Sequence, residues 1–233
     1  MWRTKHMPSA LSAVSSLVSL SASATNKKPV FLDAFNKRKA RQKKPSRYRT
    51  MERTRQNSIL LGSNWQPVNA CQAPTSIYAW ISDAGSLTEK LKSLPGEFKV
   101  EVLGQYQAMA EASEYAALNI EPQLVTIREV VLYSNAKPMV FARSILPFQG
   151  LEKSSEFINL GSNPLGERLF NRTDIEAGDI QASQFPATSS VAQLNYRLSG
   201  TQMPLWGRRR CFHLPETPIL VAEVFLSPAP CYS

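Results

Sequence analysis

The chain has 233 residues, of which 43% are hydrophobic and 9% aromatic, and it carries 27 Lys and Arg against 18 Asp and Glu. This ordinary composition excludes wholesale disorder, a collagen-like repeat and a multispan membrane protein, and the length predicts one or two domains. The three cysteines are widely spaced without a CxxC pair, and only two histidines are present: Cys71, Cys211 and Cys231; His6 and His213. We therefore expect neither a disulfide scaffold nor a zinc site.

Positive charge is concentrated at the N-terminus. Residues 1–50 contain 12 Lys or Arg and one acidic residue, Asp33, whereas residues 51–233 contain 15 basic and 17 acidic residues. The high pI therefore gives no reason to expect that the rest of the chain binds nucleic acid. Residues 1–56 are Ser-rich and then Lys- and Arg-rich without apolar periodicity, which predicts a disordered leader before one domain over 57–233.

The leader has three interpretations. Its apolar stretch is interrupted by Ser12, Ser15, Ser16 and Ser19, which makes it too polar for a secretory signal, so we expect no export and no stable membrane insertion. An Arg- and Ser-rich, acid-poor N-terminus is also typical of an organelle transit peptide, which would direct the protein to the plastid stroma. We favour the third interpretation, in which the mature, cytoplasmic protein starts at Met51.

Capping patterns and periodicity predict the elements before residue 120. Ser86 and Glu89 form a capping-box pattern that opens a short helix at Leu87. Residues 98–103 have the pattern of a strand after a Pro-Gly turn, and residues 107–118 have the Ala- and Glu-rich character of a helix.

Two hairpins of the same plan are predicted further along the chain. The first joins strands over 124–134 and 139–146 through a Ser-Asn-Ala-Lys-Pro turn, and the second joins 208–214 and 219–226 through Pro-Glu-Thr-Pro. Strands joined in this way pair antiparallel.

Helices are expected between the two hairpins. Residues 151–160 have a helical pattern, and a second helix has Asn163 as its N-cap and Pro164 as its first residue. Residues 171–204 are predicted to be a long polar loop with a little helix. An antiparallel sheet with helices gathered on one face is an α+β fold.

Two charged residues fall on apolar strand faces. Alternation along 124–134 places Arg128 on the face of Val130, and alternation along the last strand places Glu223 on the face of Val221. A buried unpaired charge is costly, so either the two side chains pair with each other or a ligand lies between them. For each residue taken alone, a sheet-edge position or a structural ion pair is the commoner outcome.

Three sequence blocks occur in the order and approximate spacing of a known family. They are Ile-Arg-Glu-Val-Val-Leu at 127–132, Asn-Pro-Leu-Gly-Glu-Arg-Leu-Phe at 163–170, and Leu-Trp-Gly-Arg-Arg at 205–209 followed by Val-Ala-Glu-Val-Phe-Leu at 221–226. Through these blocks the chain resembles the chorismate pyruvate-lyase family over about residues 57–233. The resemblance implies a single antiparallel β-sheet with helical flaps packed on one face over an enclosed site.

The resemblance also implies an activity and its residues. Family enzymes convert chorismate to 4-hydroxybenzoate and pyruvate without a metal or an organic cofactor, as the first committed step toward ubiquinone or plastoquinone. By position, the family's carboxylate-binding arginine falls on Arg128, and its glutamate that contacts the ring hydroxyl falls on Glu223. Its backbone contacts fall on Leu165 and, less closely, on Leu87, which is often methionine in the family. Both fall in the first turn of a predicted capped helix, where free backbone N–H groups favour an anion.

The expected partners are chorismate and 4-hydroxybenzoate, with no nucleic acid, and the expected state is a monomer. Two other functions stay open: the effector-binding domain that shares this fold in bacterial transcription regulators, and a non-catalytic binder of 4-hydroxybenzoate. Residues 1–56 lack the helix-turn-helix periodicity of such regulators. The three arginines after Trp206 could form a nucleic-acid patch, but alternation sends Arg208 and Arg210 to one face and Arg209 to the other, which predicts a solvated strand.

Overall fold

The computed structural model describes residues 58–62, 64–148, 157 and 160–233. Within these ranges one antiparallel sheet of eight strands has the order β1-β6-β7-β8-β4-β3-β2, and β5 also pairs with β7. The strands are β1 Gln66–Pro67, β2 Phe98–Met109, β3 Leu124–Ser134, β4 Lys137–Pro147, β5 Glu176–Ala177, β6 Gln181–Phe185, β7 Leu205–His213 and β8 Pro218–Phe225. The two predicted hairpins are confirmed as β3–β4 and β7–β8.

Five α-helices accompany the sheet in the described residues: α1 Thr75–Ile81, α2 Leu87–Lys92, α3 Ala112–Leu118, α4 Leu165–Phe170 and α5 Ser190–Ser199. Two short 3₁₀ helices cover Val68–Ala70 and Pro230–Tyr232. The predicted start of α2 is confirmed, because the Ser86 hydroxyl accepts the backbone N–H of Glu89 at 3.3 Å. The predicted leader, and the predicted helix over 151–160 apart from residues 157 and 160, lie outside the described residues.

Two predictions of element bounds were wrong. Helix α4 begins one residue late, with Pro164 rather than Asn163 at its N-cap and Leu165 as its first residue. The helix expected over 107–118 is only α3, because β2 continues to Met109 by pairing with β3 past a bulge at Val102–Gly104. There, long-range pairing overrides helix propensity.

The segment 171–204 is structured rather than a long loop. It contains β5, β6 and the ten-residue helix α5. The Ser189 hydroxyl caps the N–H of Ala192, and Gly200 ends the helix at φ +74°, a left-handed conformation that glycine adopts without strain. Val191 and Leu194 supply the buried face of this otherwise polar helix.

The α+β fold is confirmed, and helices pack on both faces of its sheet. Helices α1, α2 and α4 cover the face that carries Arg128, where Ile81 and Leu91 pack with Val130. The opposite face, which includes Val131, is covered by α5 and α3. Three short helices therefore cover the face that is predicted to hold the site.

Candidate active site

A small cavity lies between the sheet and the helices α2 and α4. Its floor comes from β3, β4 and β8, and its wall from the first turns of α2 and α4. The lining residues are Thr88, Val100, Arg128, Val130, Leu132, Ala142, Ser144, Pro164, Leu165, Gly166, Val221 and Glu223. Arg128 and Glu223, which sequence alternation had placed on one face, therefore line the same cavity.

Strand register fixes the spacing of the two charged groups. Arg128 of β3 is opposite Ser144 of β4, which is in turn opposite Val221 of β8. Glu223 is two residues further along β8, so it and Arg128 are separated by the width of two strand spacings, roughly 10 Å across the sheet. The register therefore places the backbones of Arg128 and Glu223 on non-adjacent strands of one sheet face.

The Arg128 guanidinium is buried and its described partners are all uncharged. The residue is 3% exposed. Its Nη1 donates to the Gln105 side-chain oxygen at 3.0 Å, and its Nη2 donates to the backbone carbonyls of Gly161 at 2.8 Å and Asn163 at 3.3 Å. Burial lowers the pKa of Arg128 below its usual value, because its charge is removed from water. The cavity therefore contains a positive charge that no carboxylate of the described residues neutralises.

A second buried arginine differs from Arg128 in that carboxylates neutralise its charge. On the opposite face, Arg143 is 1% exposed, with its Nε 2.7 Å from Glu114 and its Nη1 2.7 Å from Glu129. Burial lowers the pKa of Arg143, but the hydrogen bonds and charges of the two glutamates outweigh it and raise the pKa overall. Arg143 therefore forms structural ion pairs with two glutamates, whereas Arg128 has only uncharged partners among the described residues, an environment typical of an anion-binding group.

Glu223 pairs with Arg208 and not with Arg128. Its Oε2 accepts from the Nε of Arg208 at 2.7 Å, and its side chain keeps 18% exposure toward the cavity. Oε1 receives no hydrogen bond from the described part of the chain. Of the two alternatives from the sequence, direct pairing of Arg128 with Glu223 is wrong, and space for a ligand between them remains.

The first residues of α2 and α4 contribute unequally to the wall of the cavity. Leu165 lines the cavity with its neighbours Pro164 and Gly166, and its N–H belongs to the first turn of α4, where no intrahelical acceptor exists. Leu87 begins α2, but its side chain packs in the core and the cavity wall is formed by the next residue, Thr88. Only the Leu87 backbone is therefore a candidate for ligand contact.

Sequence reasoning missed three polar residues of this region. The hydroxyls of Thr88 and Ser144 line the cavity and make no hydrogen bond to any described residue. Arg208 was expected on a solvated strand, which is wrong: it is 7% exposed and bound to Glu223. The turn did not reveal this pair, because centring Pro-Glu-Thr-Pro would place Arg210 opposite Glu223, whereas the observed register places Arg208 there.

Arg208 and Arg210 also line a second cavity of about 380 Å³, which shares Gly166, Val221 and Glu223 with the first.

In the residues that are described, no three His, Cys, Asp or Glu side chains form a group able to hold a metal ion. None of the described helices is long and apolar enough to cross a membrane.

The fold and cavity define an α+β protein with a candidate site for a small anion. The sequence profile of the family described as chorismate lyase matches residues 59–233. A relative in Idiomarina loihiensis named probable chorismate pyruvate-lyase is 39% identical over 172 residues, covering 72% of this chain and 88% of the relative. One of the same name in Shewanella sp. strain MR-7 is 38% identical over 164 residues, covering 69% and 85%. The chain belongs to the chorismate lyase family.

Solved structures with partial likeness come from transcription regulators. The ligand-binding domain of a putative GntR-family regulator from Bordetella bronchiseptica gives a TM-score of 0.45 at 19% identity, covering 59% of this chain and 89% of that one. The effector domain of PhnF from Mycobacterium smegmatis gives 0.45 at 14% identity, covering 62% and 90%.

Proposed function

We propose that this protein converts chorismate to 4-hydroxybenzoate and pyruvate in the cavity that Arg128 and Glu223 line. Family membership supports the reaction. The observation that carries the site assignment is the buried Arg128, which has neutral partners only among the described residues and faces the same cavity as Glu223. A dianionic substrate supplies the negative charge that this cavity lacks.

Arg128 binds the ring carboxylate. Arginine has five N–H donors, and three of those on Arg128 are used by Gln105, Gly161 and Asn163. One donor on Nε and one on Nη1 are left, on different edges of the guanidinium, so each can donate a single hydrogen bond to a ligand. Its planar guanidinium suits a carboxylate, and the interaction is strong because water is excluded. The first backbone N–H groups of α4, at Leu165, and of α2, at Leu87, add donors that favour an anion.

Glu223 holds the C4 hydroxyl of the ring. In the reaction the bond from C3 to the enolpyruvyl oxygen breaks and the hydrogen on C4 leaves as a proton, so that the ring becomes aromatic and enolpyruvate becomes pyruvate by taking up a proton. Aromatisation drives these steps, and the protein therefore has to bind the reactive conformer and exclude water. Val130, Ala142 and Val221 provide the apolar floor for that ring.

The product suits ubiquinone or plastoquinone synthesis, for which this is the first committed step. We assign the reaction to a monomer in the cytoplasm, or in the plastid stroma if residues 1–56 act as a transit peptide. Cell fractionation with a C-terminal tag distinguishes the two locations, and light scattering of the purified chain tests the monomer.

The test is incubation of the purified full chain with chorismate and a chelator. 4-Hydroxybenzoate is followed by its absorbance, and pyruvate by a coupled dehydrogenase. We expect the two products in equal amounts. Binding of 4-hydroxybenzoate without release of pyruvate from chorismate would overturn the proposal in favour of a sensor or a non-catalytic binder.

A further inference from the structure

Arg208 connects the carboxylate of Glu223 to the chain segment that leads into α2. Its side chain lines the adjoining cavity, which shares Glu223 with the cavity of Arg128, and it is not among the residues that line the cavity of Arg128. We propose that Arg208 is a positioning residue for the lyase reaction, which fixes the orientation of Glu223 and anchors the α1–α2 connection. This inference rests on the proposed function.

The contact with Glu223 constrains one carboxylate oxygen. Arg208 and Glu223 are directly opposite on β7 and β8, and the Nε of Arg208 is 2.7 Å from Oε2. A glutamate side chain has three rotatable bonds and would otherwise sample several rotamers. With Oε2 occupied, Oε1 remains as the oxygen that can accept a hydrogen bond from the C4 hydroxyl of the ring.

The guanidinium of Arg208 also contacts the backbone that leads into helix α2, which covers the site. Its Nη1 donates to the backbone carbonyl of Trp80 at 3.3 Å and to that of Asp83. Four residues after Asp83, helix α2 begins at Leu87, and Thr88 lines the cavity. Arg208 therefore holds Glu223 and the start of this wall in one arrangement.

Only arginine provides both contacts. Its Nε and Nη1 donors point in different, fixed directions of one plane, whereas lysine is a point charge on a flexible stem. A lysine at this position keeps an ion pair with Glu223 but does not reproduce the donors to the two carbonyls. We expect a misoriented Glu223 to slow the chemical step more than it weakens binding, because Arg128 still binds the ring carboxylate.

The experiment compares Arg208→Gln with the matched control Arg209→Gln in the full chain. Arg209 neighbours Arg208 on β7 and is equally buried at 7% exposure, but it faces the other side of the sheet and contacts Gln181, Ser113 and the Trp65 ring. Steady-state kcat and KM for chorismate and the melting temperature are measured for both variants.

We expect Arg208→Gln to lower kcat at least 30-fold while KM changes less than threefold. Arg209→Gln should keep kcat within twofold of the wild type even if its melting temperature falls. Arg208→Lys should have a higher kcat than Arg208→Gln and recover at least a third of the decrease in log kcat, because it restores the charge beside Glu223.

A double-variant cycle separates positioning from general stability. In a Glu223→Gln background, adding Arg208→Gln should cost less than threefold in kcat, since the group that Arg208 orients is already altered. A full additional 30-fold loss in that background, or a folded Arg208→Gln protein with kcat within threefold of the wild type, would overturn the inference. A wild-type chain without turnover would instead overturn the proposed function, and this inference with it.

Discussion

Replacing Arg128 by glutamine removes the positive charge from the cavity and shortens the side chain. In the wild type this guanidinium donates to Gln105, Gly161 and Asn163 and keeps two N–H donors for a ligand. Glutamine has an uncharged amide that replaces only part of these donors. We therefore expect chorismate binding and turnover to suffer through the lost ligand contacts.

The magnitude follows from the hydrogen bond that the guanidinium can still donate to the carboxylate. Such a bond to a charged group contributes about 1.5–3 kcal/mol. Since 1.4 kcal/mol corresponds to a factor of ten, kcat/KM should fall by roughly 10- to 100-fold. Arg128→Lys keeps a charge without the planar fork and should fall between the wild type and Arg128→Gln.

The assay is steady-state formation of 4-hydroxybenzoate from chorismate, with product affinity measured by calorimetry and folding checked by circular dichroism. His213→Ala serves as the control, because His213 is an exposed residue at the end of β7 and lines neither candidate cavity described above. It should keep kcat/KM within twofold of the wild type. A folded Arg128→Gln protein with kcat/KM within threefold of the wild type would refute the assignment of Arg128.

The other predictions concern stability and the leader. Arg143→Met should lower the free energy of unfolding by about 3–5 kcal/mol in urea titrations, because Glu114 is left buried without its cation; an unchanged midpoint would contradict this. Gly200→Ala should cost about 1–2 kcal/mol at φ +74°, since no atom crowds the new methyl group and only backbone strain acts; thermal melting checks it. Burial raises the pKa of Cys231 to about 12, so the unfolded state loses that proton first and stability should fall as pH rises from about 9 to 12; Cys231→Ala should show a shallower decline. A chain that starts at Met51 should fold and keep full activity, and failure to fold would refute the interpretation of the leader.

The alternation of side chains along strands was sufficient to predict which face of a strand carries each site residue. Because side chains on a strand point to opposite sides in turn, Arg128 and Glu223 could be assigned to faces before their strands were placed in the sheet. The turn residues likewise predicted both hairpins. The helix starts at Leu87 and Leu165 followed from local capping patterns, with an error of one residue at the second.

Long-range pairing could not be predicted from local patterns. No local signal states that β4 lies between β3 and β8, and that order places Glu223 two strands away from Arg128. The continuation of β2 to Met109 depends on its partner strand in the same way. The burial of Arg208 also depends on the register of the β7–β8 hairpin, because a hairpin centred on Pro-Glu-Thr-Pro would place Arg210 opposite Glu223 instead.

The central claim is that one cavity holds an aromatic acid between Arg128 and Glu223. A crystal structure of the full chain with 4-hydroxybenzoate tests it most directly. We expect the carboxylate of the ligand within hydrogen-bond distance of Arg128 and the backbone N–H of Leu165, with its hydroxyl at Oε1 of Glu223. A ligand bound elsewhere, or bound in this cavity without contact to Arg128, would contradict it.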